Sequence, residues 1–90
     1  MSARVPLSVL ELAVVTEEGT SGDALRGATE VAQAADRLGY ERFWVAEHHN
    51  MTSIASTNPP VLMAHLAART ERIRVGSGGV MLPNHAPLVV

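Results

Sequence analysis

The sequence predicts an α/β fold with parallel strands, and three observations carry that expectation. Apolar runs at Pro6–Val15, Arg42–Ala46 and Ile73–Met81 alternate with stretches whose apolar residues recur at steps of three and four. Helix-boundary residues stand between them: Thr20 with Asp23, Gly39 after Leu38, and Asn58 before Pro59. The second run passes straight into four polar residues, Glu47-His48-His49-Asn50. In parallel α/β folds the C-terminal strand ends are where ligands sit. The order β-α-β-α-β implies right-handed crossovers between parallel neighbours.

In order, Pro6–Val15 is broken only by Ser8 and Glu11, which suggests a strand buried on both faces. Thr16–Gly22 reads as a loop, with Thr20 or Ser21 able to cap the next helix and Asp23 in the capping-box position of Thr20. The first helix is expected from about Gly22 to Leu38. Its stripe is Leu25, Ala28, Val31, Ala32, Ala35 and Leu38, and Gly39 fits the left-handed position that ends many helices. Strand 2 is expected over about Arg42–Ala46, followed by a long loop from Glu47 to Thr57. Asn58 then caps a second helix with Pro59 at its first position, where a missing N–H costs nothing, and the helix runs to about Arg69. Strand 3 is expected from Ile73 to about Met81, a loop over Leu82–Pro87, and the opening of a third helix at Leu88-Val89-Val90.

Ninety residues suit one domain at most. A chain of this size buries roughly 60% of the surface that its unfolded form exposes, so its own stability would be marginal. Hydrophobic residues make up 47% and the formal charge is −2, without the basic excess that nucleic acid requires. With no cysteine, disulfides and thiolate metal sites are excluded, and a reducing compartment is compatible. No stretch approaches the roughly 18 apolar residues of a membrane span, and no signal-peptide run is present. The expected location is the cytoplasm.

Two clusters carry candidate chemistry. In Glu47-His48-His49-Asn50 a neutral imidazole can accept a proton, and a neighbouring carboxylate can orient it. Consecutive histidines in extended chain point in opposite directions, so one of them is expected to face a cleft. The plain alternative is that these residues solvate a strand end. A metal held by His48 or His49 with His85 or Glu47 is not expected, because no H-x-H or H-E-x-x-H spacing occurs. In Gly76-Ser77-Gly78-Gly79 the dinucleotide fingerprint fails at Met81. The glycines instead suggest a bulge or a close approach to the backbone, by a ligand or by a packed side chain. Trp44 is expected in the core, His65 as a partly buried helix residue, and Asn84-His85 in a loop at the same end as the glycines.

Three segments together resemble the bacterial luciferase-like monooxygenases, flavin-dependent oxidoreductases built on a (β/α)8 TIM barrel. They are Leu38-Gly39-Tyr40-Glu41-Arg42-Phe43-Trp44-Val45-Ala46-Glu47-His48-His49, Asn58-Pro59-Pro60, and Ile73 through Pro87 with its Gly76-Ser77-Gly78-Gly79 and Leu82-Pro83-Asn84-His85-Ala86-Pro87. The resemblance implies that residues 1–90 are a single partial domain, the first three β/α units of an incomplete barrel. It implies a catalytic role for His48 near the flavin, with Glu47 and His49 shaping the substrate pocket. It further implies a non-prolyl cis peptide at Gly78–Gly79, against which the isoalloxazine ring packs. The implied chemistry is reaction of reduced FMN, supplied by a separate flavin reductase, with dioxygen and a small organic substrate.

Other readings stay open at this point: a deazaflavin in place of FMN, or a non-catalytic truncated barrel or accessory subunit. Strands 4 to 8 of such a barrel are missing here, and cofactor phosphate is typically gripped after strands 7 and 8. The chain reads as the first part of a longer protein. Alone it is expected to be inactive, and either homo-oligomeric or associated with the missing barrel portion.

Overall fold

The computed structural model describes residues 4–90. It consists of β1 (Ser8–Glu11), α1 (Ser21–Arg37), β2 (Arg42–Val45), α2 (Pro59–Ala68), β3 (Arg74–Ser77) and a 3-10 turn, Leu82–Asn84. The strands form one sheet in the order β1-β2-β3, parallel throughout. Its register sets Val9 beside Phe43 beside Val75, and Leu10 beside Trp44 beside Gly76.

That register separates two faces, because successive side chains on a strand point opposite ways. Phe43 and Val45 turn towards the helices and are fully buried with Ala32 and Ala35 of α1, Leu62 and Leu66 of α2, and Ile73. Val9 and Val75 pack against the same cluster. Leu10 and Trp44 lie on the other face, where Leu10 is 60% exposed and Trp44 half-buried. Trp44 is therefore not part of the main core, contrary to expectation. Both helices cover one face, and among the described residues the opposite face is left open.

β1 is shorter than Pro6–Val15. The Glu11 carboxylate accepts the Ala13 N–H at 2.9 Å, and Ala13 adopts φ +52°, so the extended run breaks there. The chain then meets the β2–α2 loop instead of its neighbour strand. Val14 forms an antiparallel bridge with Ile54, the Val15 N–H donates to the Ser53 carbonyl, and the Ala55 N–H to that of Ala13.

The helix ends follow the sequence signals. At α1, Thr20 Oγ1 accepts the Asp23 N–H and the Asp23 carboxylate accepts the Thr20 N–H, a complete capping box. Gly39 has φ +81°, the left-handed conformation that glycine adopts without a Cβ penalty. Asn58 caps α2 by accepting the Val61 N–H, with proline in the first turn. The helix faces depart from expectation in detail. Val31 and Leu38 are exposed, because the small Ala28, Ala32 and Ala35 already bring α1 onto the sheet. His65 is exposed rather than partly buried, lining a groove with Leu25 and Val61 between the two helices.

Asp36, on the last turn of α1, is a buried carboxylate. It accepts three backbone N–H groups, from Glu71 at 2.8 Å and from Arg72 and Ile73 at 2.9 Å. These bonds fix the chain as it enters β3 and hold the Asp36 pKa below the usual carboxylate value.

β3 stops at Ser77, short of the expected Met81. One further bond, from the Gly78 N–H to the Val45 carbonyl at 2.7 Å, extends the ladder before the chain turns away through a cis Gly78–Gly79 peptide. At the far end Leu88-Val89-Val90 makes a single turn on the Ala86 carbonyl, which accepts the Val89 N–H at 2.9 Å and the Val90 N–H at 3.3 Å. No helix among the described residues is long and apolar enough to cross a membrane.

Candidate functional site

The site is assembled at the C-terminal ends of β2 and β3. β2 delivers Ala46 and Glu47 into buried positions and His48 into a half-buried one, while His49 and Asn50 are exposed. Ser56, fully buried, holds the returning loop to this end. Its hydroxyl donates to the Ala46 carbonyl at 2.6 Å, and its own carbonyl accepts the His48 N–H at 3.0 Å. The β2–α2 loop is thus tied down within a few residues of the histidines. Asn50, at φ +58°, turns the chain outward.

Glu47 is the centre of the arrangement. Its side chain is 1% exposed, and four donors converge on it. Oε1 accepts the Met81 N–H at 3.0 Å and His85 Nε2 at 2.8 Å; Oε2 accepts His49 Nε2 at 2.7 Å and Asn84 Nδ2 at 3.5 Å. The His49 bond does most to lower its pKa. Burial works in the opposite sense and is outweighed by the added bonds from His85, Met81 and Asn84, so the pKa falls from 4.5 to about 2. A carboxylate so held is ionised at neutral pH. It ties the segment after β3, some 34 to 38 residues away in sequence, to the end of β2.

The sequence singled out Glu47, His48 and His49 at β2 and Gly78 and Gly79 at β3, and the fold brings both groups to one end of the sheet. The residues do different things there. Glu47 faces inward and shapes its surroundings through what it binds. His49 is partly exposed beside it. His48 makes no hydrogen bond to this cluster, and its Nδ1 is buried with no hydrogen-bond partner. His85 and Asn84 join Glu47, a pairing that sequence spacing could not reveal. The signal available in the sequence was the place of Asn84-His85 in the loop after β3, at the same end as the glycines.

The glycines also divide. A Cβ at Gly76 would lie 2.6 Å from Cζ3 of Trp44, and one at Gly78 would lie 3.3 Å from Trp44 Cβ. A packed side chain therefore explains both. A Cβ at Gly79 would meet nothing within 4 Å. Gly79 is bare backbone facing open space, and the Ser77 hydroxyl donates to its carbonyl.

Comparison with known proteins gives a single family. The model of the luciferase-like monooxygenases matches residues 5–90. A luciferase-like monooxygenase of Escherichia coli (strain K12) is 48% identical over 86 residues, covering 96% of this chain and 26% of that protein. The crystal structure of apo-MsnO8 superposes with a TM-score of 0.91 at 52% identity, covering 96% of this chain and 26% of the other. The oxygenating constituent of 3,6-diketocamphane monooxygenase from Pseudomonas putida, a type II Baeyer-Villiger monooxygenase in complex with FMN, shares the fold. Its TM-score is 0.86 at 19% identity, covering 96% of this chain and 24% of that one. The chain spans about a quarter of the length of the proteins it matches. With the family model covering nearly every residue and half the positions shared with a superposable neighbour, the chain belongs to the luciferase-like monooxygenase family.

Proposed function

We propose that this chain forms the ring-facing wall of a flavin-dependent monooxygenase site, with reduced FMN as cofactor and dioxygen and a small organic molecule as co-substrates. The observation that carries the reading is His48. A buried imidazole nitrogen without a partner is costly, and a polar atom of a bound ligand removes that cost. Two residues past the end of the neighbouring strand stands Gly79, where open space replaces a side chain, so a flat ring can approach the backbone there. The residues present therefore fit an isoalloxazine ring, and the FMN held by the Pseudomonas putida neighbour supports FMN as the flavin.

When bound, the flavin supplies the reaction with dioxygen from which an oxygen atom passes to the substrate. The chain's own residues do the rest. His48 contacts the ligand and holds or accepts a proton at Nδ1. Gly78 and Gly79 carry the ring on bare backbone. Glu47 keeps His49 and the 81–85 segment in place around them. Phosphate contacts in such barrels come from loops after strands 7 and 8, beyond the strands of this chain. A separate flavin reductase would supply the reduced cofactor.

A fluorescence titration of FMN with the chain, repeated with His48→Ala and Gly79→Val, tests the reading. Saturable binding is expected. Gly79→Val, which fills the open space, is expected to weaken it by at least about tenfold, roughly 1.4 kcal/mol. Absence of binding by a chain whose circular dichroism shows it folded would make the chain a scaffold piece without a cofactor surface of its own.

A further inference from the structure

Glu47 and its two histidines carry an assignment of hydrogens that no single distance gives. An ionised carboxylate accepts through about four lone-pair positions and donates none. Both imidazoles are stronger bases than a carboxylate, so a proton shared across either contact rests on the ring nitrogen and Glu47 accepts from all four of its neighbours. One of the four, the Met81 backbone N–H, can only donate, which fixes Oε1 as an acceptor. Both imidazoles approach through Nε2. Each Nε2 must therefore carry a hydrogen, and Nδ1 is the nitrogen left able to accept.

We infer that Glu47 is a positioning residue that locks His49 and His85 in the Nε2–H tautomer, making Nδ1 of His49 a second proton-accepting atom beside His48. His49 is the partly exposed ring of the pair, with 40% of its side chain open against 16% for His85. The group it would engage is a donor on the bound molecule, a hydroxyl, thiol or N–H. His85 serves to complete the carboxylate's shell and to hold the Leu82–Asn84 turn. The tautomer assignment stands on geometry alone; the use of His49 Nδ1 in a reaction rests on the flavin monooxygenase reading.

The test is long-range proton–nitrogen correlation NMR of the uniformly labelled chain at pH about 8.5, roughly two units above the ordinary imidazole value, where neutral tautomers are read directly. Both His49 and His85 should give the Nε2–H pattern. Glu47→Gln gives a sharper result. Its amide oxygen must take the Oε1 place to keep the Met81 N–H, which leaves the amide NH2 facing His49. His49 alone should then switch to the Nδ1–H tautomer while His85 keeps Nε2–H.

A role confined to packing would move neither pattern. An Nδ1–H tautomer at either ring of the unsubstituted chain overturns the assignment. So does a folded Glu47→Gln chain in which His49 keeps Nε2–H. If Glu47→Gln does not fold, the unsubstituted spectrum still decides. Because no flavin is present, the outcome is separate from the FMN titration: loss of flavin binding with both tautomers as assigned would sink the reading of function and leave the role of Glu47 intact.

Discussion

At the scale of single residues, Glu47 links pH to structure. Its folded pKa of about 2 lies below the ordinary 4.5, so the unfolded chain binds the proton more readily. The stabilisation is therefore complete above about pH 4.5 and is lost as the pH falls towards 2. Acid titration of the chain followed by circular dichroism should show stability falling through that window. Glu47→Ala should be less stable at neutral pH and flatter in acid, since the linked group is gone; an acid limb identical to that of the unsubstituted chain would count against Glu47 as its source. Gly76 makes a different residue-level case. A methyl group there lands 2.6 Å from the Trp44 ring, so Gly76→Ala forces the indole aside. Overpacking of this kind costs about 1–3 kcal/mol. Trp44 is the one tryptophan of the chain, so its emission reports the displacement directly, alongside a lowered urea midpoint.

At the scale of elements, local signals were legible and long-range ones were not. Thr20 with Asp23, Gly39, and Asn58 with Pro59 could be read because each cap acts within a few residues. Gly39→Ala should accordingly cost about 1–2 kcal/mol in a denaturant titration, the penalty of a Cβ at φ +81°. Asp36 could not be read. In sequence it is an acidic residue near a helix end, where a negative charge is unfavourable to the helix dipole. Its purpose appears only when the fold brings the Glu71, Arg72 and Ile73 N–H groups to it across about 35 residues. Asp36→Ala should therefore speed hydrogen exchange at those three amides first, before the rest of β3; uniform exchange across the sheet would argue against a local clasp. The strand ends were misread for the same reason. Pro6–Val15 and Ile73–Met81 look continuous in hydropathy, but side chains of Glu11 and Glu47 take the backbone N–H groups of Ala13 and Met81 out of the ladder. Likewise the site was legible as two clusters of residues, whereas the link between them through His85 was not.

At the scale of the whole molecule, one face of the sheet is built and the other is not. Both helices pack on Phe43 and Val45, and Leu66 sits fully buried against them, so Leu66→Ala should cost about 2–5 kcal/mol, a large share of what a domain of this size has. On the opposite face, among the described residues, Leu10 and the Trp44 ring have no covering layer, and β1 and β3 each have a neighbour on one side only. An unpaired strand edge exposes backbone donors and acceptors, and an uncovered apolar face gains by leaving water; both favour association with another chain. The isolated chain should therefore self-associate, with a weight-average mass in analytical ultracentrifugation that rises with concentration. Leu10→Lys places a charge in the middle of the open face without touching the helix-side core, and should shift that curve towards the 9.6 kDa monomer. Its helical circular dichroism should be unchanged, because Leu10 points away from the buried cluster. Mass independent of concentration in the unsubstituted chain would mean that these edges and this face do not drive association, and Leu10→Lys would then change nothing.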